Sequence, residues 1–106
     1  WFSSSKEGFD SPRDRHIMYY YVYLLITKSN KPITYVGYTN DIQKRLRLHN
    51  LGKGAKFTKG RKWKLIFSRK FKSKSKAMKE ELKLKNDRIK RNNIKYAFLK
   101  KMRITN

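Results

Sequence analysis

The sequence predicts a small α+β domain: a three-stranded, mainly antiparallel sheet flanked by helices. Three observations carry that reading. Tyr19 to Ile26 is an unbroken apolar run dominated by aromatic and β-branched residues, Trp63 to Phe71 alternates like a strand, and helix-spaced apolar residues follow capping-type side chains at Asp41 and at Ser73 or Ser75.

In chain order, Tyr19 to Ile26 reads as a strand because β-branched and aromatic side chains fit a pleated, half-buried surface. Ser29-Asn30-Lys31-Pro32 is turn chemistry, and Ile33 to Tyr38 is a second short apolar run, so the two runs form a hairpin. Thr39-Asn40-Asp41 offers an N-cap for a helix through Ile42, Leu46, Leu48 and His49. Leu51-Gly52-Lys53-Gly54 stops that helix, with glycine supplying a positive φ at C′. Lys56 to Lys62 is a basic loop. Trp63 to Phe71 sets Trp63, Leu65 and Phe67 against Lys62, Lys64 and Ile66, which suits a third strand with one wetter face. Ser73 or Ser75 then caps a long helix from about Lys76 to Arg91, whose apolar positions Ala77, Met78, Leu82, Leu84 and Ile89 are only roughly periodic. Ile94 to Ile104 forms a further amphipathic helix or strand.

A chain of 106 residues with 38% hydrophobic content suits one domain with one modest core. Its 29 Lys and Arg against 7 acids give a formal charge of +22. That excess favours a polyanionic partner, since each cation set near a phosphate releases condensed counterions. A ribosomal protein would show the same balance, so charge points to nucleic acid without saying what is done to it. The lack of cysteine excludes disulfides and thiolate zinc sites and is compatible with a reducing compartment. No apolar run approaches the roughly 20 residues of a membrane helix, and the first residues carry no signal-peptide h-region.

The charge is unevenly spread. In residues 1–18, Lys6, Arg13 and Arg15 cancel Glu7, Asp10 and Asp14, so the whole +22 lies in residues 19–106, whose only acids are Asp41, Glu80, Glu81 and Asp87. Residues 1–17 are polar, Ser-rich and aperiodic. Gly8 to Pro12 can be encoded as GGG-TTC-GAT-TCC-CCC, resembling the T-arm of a tRNA gene. The segment therefore reads either as upstream DNA translated in frame, with Met18 the natural start, or as a native flexible arm. The expected organisation is a disordered or non-native leader at 1–18, a folded domain at 19–94, and a basic C-terminal element at 95–106 packing on or trailing the domain.

Tyr21-Val22-Tyr23, eleven further residues, then Tyr35-Val36-Gly37 is similar to the paired motifs of the GIY-YIG endonuclease family, with Tyr21 where the first motif's name has glycine. Arg45 and His49 follow Gly37 by eight and twelve residues, as the family pattern has it. Gly52-Lys53-Gly54-Ala55-Lys56-Phe57-Thr58 resembles the Gly-x-Gly-Ala-x-(aromatic)-Thr loop of the small stand-alone bacterial branch and of the structure-specific, branched-DNA endonucleases. Ala77 with Glu81 four residues on resembles the acidic motif. The resemblance covers about Tyr19 to Asn93 and implies a GIY-YIG nuclease-like fold.

It also implies a Mg²⁺- or Mn²⁺-dependent endonuclease acting on DNA, with Tyr23, Tyr35, Arg45, His49 and Glu81 as catalytic residues and Glu81 as metal ligand. The residues suit that chemistry. Phosphodiester hydrolysis needs an activated nucleophile, charge neutralisation on the phosphoryl oxygens and help for the leaving oxygen. Glu81 is a hard oxygen ligand. Arg45 lies one helical turn from His49, and its planar fork matches two phosphate oxygens. Tyr23 would be the general base, its phenol lowered from about 10 by a nearby metal and a cationic field. Tyr35 and His49 would position the water or the phosphate. Lys53, Lys56, Lys59, Arg61 and Lys62 read as phosphate contacts that carry no base recognition.

Plainer roles stand beside these. The tyrosines can be strand packing, His49 a helix C-terminal histidine, Glu81 a partner of Lys85, Gly37 a point of close backbone approach, and Gly52 and Gly54 a helix stop. The rival readings of the whole are a non-catalytic basic DNA- or RNA-binding module and a cutting domain derived from an intron-homing endonuclease. Low sequence specificity, branched or nicked DNA as substrate, a role in DNA repair or recombination and a monomeric state are the further expectations. Lys- and Asn-rich composition suggests an AT-rich genome, in a bacterial cytoplasm or nucleoid or in an organelle such as a mitochondrion or plastid.

Overall fold

A computed structural model of the chain describes residues 18–105; the expected leader lies outside them except for Met18. The first strand, β1 (Tyr20–Thr27), is central, with β2 (Thr34–Thr39) and β3 (Trp63–Phe71) antiparallel on either side. Its last six residues, Val22 to Thr27, are all buried. This explains why β1 reads as a continuous apolar run rather than an alternation: both faces of the strand are covered. Val22 and Leu24 join Val36, Phe71, Ala77 and Leu84 in one cluster, while Tyr23 and Leu25 join Trp63 in another, with Tyr35 and Leu46 packed against it.

Helix α1 (Ile42–Asn50) covers the Tyr23 face, and α2 (Lys74–Asn86) and α3 (Arg88–Thr105) cover the Val22 face. Asp41 caps α1, its side chain accepting from the Lys44 N–H at 3.1 Å, and Gly52 follows the helix with φ of 79°. The end of α1 is tied to the start of β3. Asn50 accepts the Trp63 N–H at 2.6 Å and donates to the Trp63 carbonyl at 3.3 Å.

Two expectations are corrected. The register of β3 against β1 shifts between Leu24 and Leu25, leaving Ile66 as an extra residue. Such a bulge reverses the alternation beyond it. Trp63 and Leu65 therefore face the Tyr23 side, whereas Phe67 packs with Ile66 and Phe71 against the Val22 side. The long helix expected from Lys76 to Arg91 is two helices, capped by Ser73 and broken at Asp87, whose backbone (φ −102°, ψ 80°) is not helical. The Asp87 side chain accepts from the Lys90 N–H at 2.9 Å, and Arg91 Nε donates to the Leu84 carbonyl at 3.0 Å. Aspartate favours this position because its short carboxylate satisfies the free N–H groups of a new helix better than it supports a helix interior. The segment from Ile94 onward is helix, continuous with Arg88, so the 94/95 division falls inside α3.

Replacement of Asp87 gives a direct check on the break. Asp87→Ala is expected to destabilise the chain by about 1 kcal/mol in urea unfolding, through loss of the cap. In one uninterrupted helix the same change would stabilise, alanine being the better interior residue.

Candidate active site

Directly paired residues of an antiparallel pair project to one face. Tyr23 pairs with Gly37 and Leu25 with Tyr35, so Tyr23 and Tyr35 come out together on the α1 side. Gly37 is where the two strands make room for the phenol: a Cβ there would lie 2.5 Å from the Tyr23 hydroxyl. From α1, His49 enters the same face, 1% exposed. Its Nε2 lies 2.9 Å from the hydroxyl of Tyr23, itself 2% exposed. Gly54 passes so close over the His49 ring that any Cβ would collide with it. Beyond the ring, His49 Nδ1 meets Thr58 Oγ1 at 2.8 Å.

Tyr35 lies against this pair, its ring centroid 6.4 Å from Tyr23 and 5.1 Å from His49. Phe57 stacks on the outer side of Tyr35 at 6.1 Å and 20°, is 54% exposed, and carries Arg61 over its own ring at 5.8 Å. Trp63 underlies the loop and donates from Nε1 to the Thr58 carbonyl at 2.9 Å.

Arg45, one turn before His49, borders a cleft of about 260 Å³ shared with Thr39, Asn40, Asp41, Lys44 and Leu48. Its Nε is buried without a hydrogen-bond partner among the described residues. An orphaned guanidinium N–H is costly in a finished core and useful where an anion is to dock. Glu81 sits on α2, near enough for its charge to act on Tyr23, and pairs with Lys85 at 3.4 Å. Glu80 turns away: it pairs with Lys83 at 3.3 Å and Arg69 at 3.7 Å, and hydrogen bonding to Lys83 holds its carboxyl below the usual range. The five loop cations Lys53, Lys56, Lys59, Arg61 and Lys62 are all exposed.

Burial pushes the Tyr23 phenol up to about 12, and neighbouring Tyr35 adds to the rise. The Arg45 guanidinium beside it pulls down and the Glu81 charge opposes that pull. The part of the expectation that rests on the cationic field is therefore corrected, because desolvation of a phenolate outweighs one guanidinium. Burial lowers His49 from 6.5, with Arg45 acting in the same direction, so its neutral form is favoured.

The structure thus joins Tyr23, Tyr35 and His49 in direct contact, sets Arg45 beside Tyr23, and leaves Glu81 within electrostatic reach. Thr58, fully buried, and Phe57 belong to the loop motif but are not among the expected site residues, yet both contact this set. Their signal was the motif itself, since nothing local marks a threonine in a lysine-rich loop as buried.

A small antiparallel sheet that brings two tyrosines and a histidine together on one face, with an arginine beside them and a glutamate within electrostatic reach, is an arrangement of nuclease type. Residues 19–95 match the GIY-YIG catalytic domain, and the chain belongs to that family. A UPF0213 protein of Oceanobacillus iheyensis is 43% identical over 67 residues, 62% of this chain and 76% of the relative. One of Bacillus pumilus is 38% identical over 86% of this chain and 87% of its own length. The solution NMR structure of a UPF0213 protein from Bacillus halodurans is 38% identical, covers 76% of this chain and 85% of its own, and has a TM-score of 0.44.

The two shifted groups fix how stability should vary with pH. Tyr23, raised from 10.0 to about 12, contributes stability that is present below pH 10 and lost as pH climbs towards 12. His49, lowered from 6.5, contributes stability that is present above pH 6.5 and lost as pH falls below it. Thermal melts of the chain should therefore decline at both ends. Tyr23→Phe should flatten the alkaline decline and leave the acid one; equal alkaline slopes in both proteins would contradict the assignment.

Proposed function

We propose that the chain is a Mg²⁺- or Mn²⁺-dependent endonuclease that hydrolyses DNA phosphodiester bonds with low sequence specificity. The observation that carries this reading is the buried Tyr23–His49 hydrogen bond, beside an arginine whose Nε has no hydrogen-bond partner among the described residues. In this scheme Tyr23 takes a proton from the attacking water, and the phenol's own proton passes to His49 Nε2, 2.9 Å away. A base held near 12 is strong but needs that outlet, because at neutral pH it is fully protonated. Arg45 binds the phosphoryl oxygens, and Tyr35 orients water or phosphate. As water adds to phosphorus, the bond to the leaving oxygen breaks and that oxygen takes a proton from solvent water, while the proton held on His49 is returned to solvent.

Glu81 would hold the cation. Among the described residues no three His, Cys, Asp or Glu side chains gather around one point. The donor set therefore fits an ion that keeps several waters and takes one carboxylate plus substrate phosphate, as Mg²⁺ commonly does. When bound, the ion supplies charge neutralisation at the phosphate. The Lys85 contact to Glu81 is exposed, with 50% of the lysine side chain accessible, and such a pair exchanges easily.

Lys53, Lys56, Lys59, Arg61 and Lys62 contact phosphates along the approach to this face, with exposed Phe57 offering a ring for a base to stack on. Structure-directed action on branched or nicked DNA, and a place in repair or recombination, are consistent with contacts that read backbone rather than sequence. No described helix is long and apolar enough to cross a membrane.

Plasmid nicking at low salt tests the reading. Mg²⁺-dependent nicking is expected, abolished by a chelator and reduced by about a hundredfold or more in Glu81→Ala and Arg45→Ala while DNA binding persists. Tight, salt-sensitive binding without metal-dependent cleavage of linear, supercoiled or branched DNA would instead establish a binding module.

A further inference from the structure

We infer that Thr58 is a positioning residue that holds neutral His49 as its Nδ1–H tautomer, leaving Nε2 as the acceptor for the Tyr23 proton. Its consequence for catalysis rests on the endonuclease reading, but the tautomer itself does not.

Counting protons decides the direction of each bond. The Tyr23 hydroxyl has one proton, and among the described residues its hydrogen-bond acceptor is His49 Nε2. Arg45, also beside the phenol, can only donate. Were Nε2 protonated, the phenolic proton would face donors on both sides inside a buried site. At the other end of the ring, Thr58 Oγ1 donates to the Ala55 carbonyl at 2.9 Å and accepts from the Ala55 N–H at 3.2 Å. A hydroxyl has one proton and two lone pairs. Its proton is used, so its remaining contact, 2.8 Å to His49 Nδ1, is satisfied when Nδ1–H donates to it. The Tyr23 end therefore demands this tautomer, and the Thr58 end, with its hydroxyl proton on the Ala55 carbonyl, is satisfied by the same one. With it every proton in the chain Tyr23–His49–Thr58–Ala55 has an acceptor.

The threonine is itself held. It is fully buried, its N–H donates to the Ala55 carbonyl at 3.2 Å, and its carbonyl accepts the Trp63 indole at 2.9 Å. The loop reaches the ring only because residue 54 is glycine. The arrangement does for a His–Tyr pair what a fixed hydrogen-bond partner generally does for a catalytic histidine: it selects which nitrogen is left free to act.

The test uses the full chain, uniformly ¹⁵N-labelled, at neutral pH. Long-range ¹H–¹⁵N spectra report which ring nitrogen is protonated, and the chain has only two histidines, so His16→Gln assigns His49 by elimination. The wild type is expected to show protonated Nδ1 and bare Nε2. Thr58→Val keeps the shape and removes the hydroxyl; it should shift His49 to a mixed or reversed tautomer and lower kcat for nicking about tenfold or more, with KM for DNA little changed. Thr58→Ser keeps the hydroxyl and should restore both the tautomer and most of kcat. Protonated Nε2 in the wild type overturns the proposal, as does Thr58→Val with unchanged tautomer and kcat. Should Thr58→Val fail to fold, the wild-type and Thr58→Ser spectra still decide. A wild type that cuts no DNA in any form sinks the nuclease reading, while the nitrogen shifts go on deciding the tautomer.

Discussion

Tyr23 lies buried between the sheet and α1, and a phenol in that position must hydrogen-bond or leave a polar group stranded. Much of the local structure answers that demand. His49 has to arrive from α1 with its ring turned inward, so α1 must end close to β3, and the two bonds between Asn50 and the Trp63 backbone set that distance. The loop after α1 must then close over the ring, which Gly54 permits and Thr58 completes. Trp63, the largest fully buried side chain, packs beneath and pins Thr58 through its indole. On this face packing and polar satisfaction are one set of contacts, so disturbing either disturbs both.

The other face of the sheet is simpler. Val22, Leu24, Val36, Phe71, Ala77 and Leu84 form an apolar cluster with no polar obligation. Neighbouring residues of β1 thus serve different ends, Val22 and Leu24 stability, Tyr23 the site. The same division separates Glu80 from Glu81, since consecutive helix positions point about 100° apart. Glu80 falls among Arg69 and Lys83, and Glu81 pairs with Lys85 within electrostatic reach of Tyr23.

What could be read from the sequence was what is encoded locally. The β1 run, the hairpin, the Asp41 and Ser73 caps and the Gly52 stop each carry their signal within a few residues, and each stands in the structure. The bulge at Ile66 left no such mark, because Leu65-Ile66-Phe67 is apolar in any register. Asp87 was a legible cap that a loosely periodic apolar pattern on both sides concealed. The five site residues were singled out by the family resemblance and not by spacing alone; the structure brings Tyr23, Tyr35 and His49 into contact and sets Arg45 beside Tyr23. The direction of the Tyr23 shift was not legible, as it depends on burial by α1 and the loop rather than on the cations nearby. The role of Thr58 depends on a contact nine residues away through a ring nitrogen, which no pattern of residue types specifies.

The distribution of acids bears on which group can meet a cation. Residues 19–106 hold four. Asp41 and Asp87 are spent capping α1 and α3 through the Lys44 and Lys90 N–H groups, and Glu80 is held by two cations. Glu81 has a pairing with Lys85, whose exposed ammonium water and salt can screen. In a domain this basic, a carboxylate beside a buried phenol also opposes the general attraction for polyanions. It raises the phenol and repels phosphate unless a cation lies between them. On the proposed endonuclease reading, the surface cations would draw nucleic acid in, and Glu81 would make the last approach to Tyr23 conditional on a metal ion.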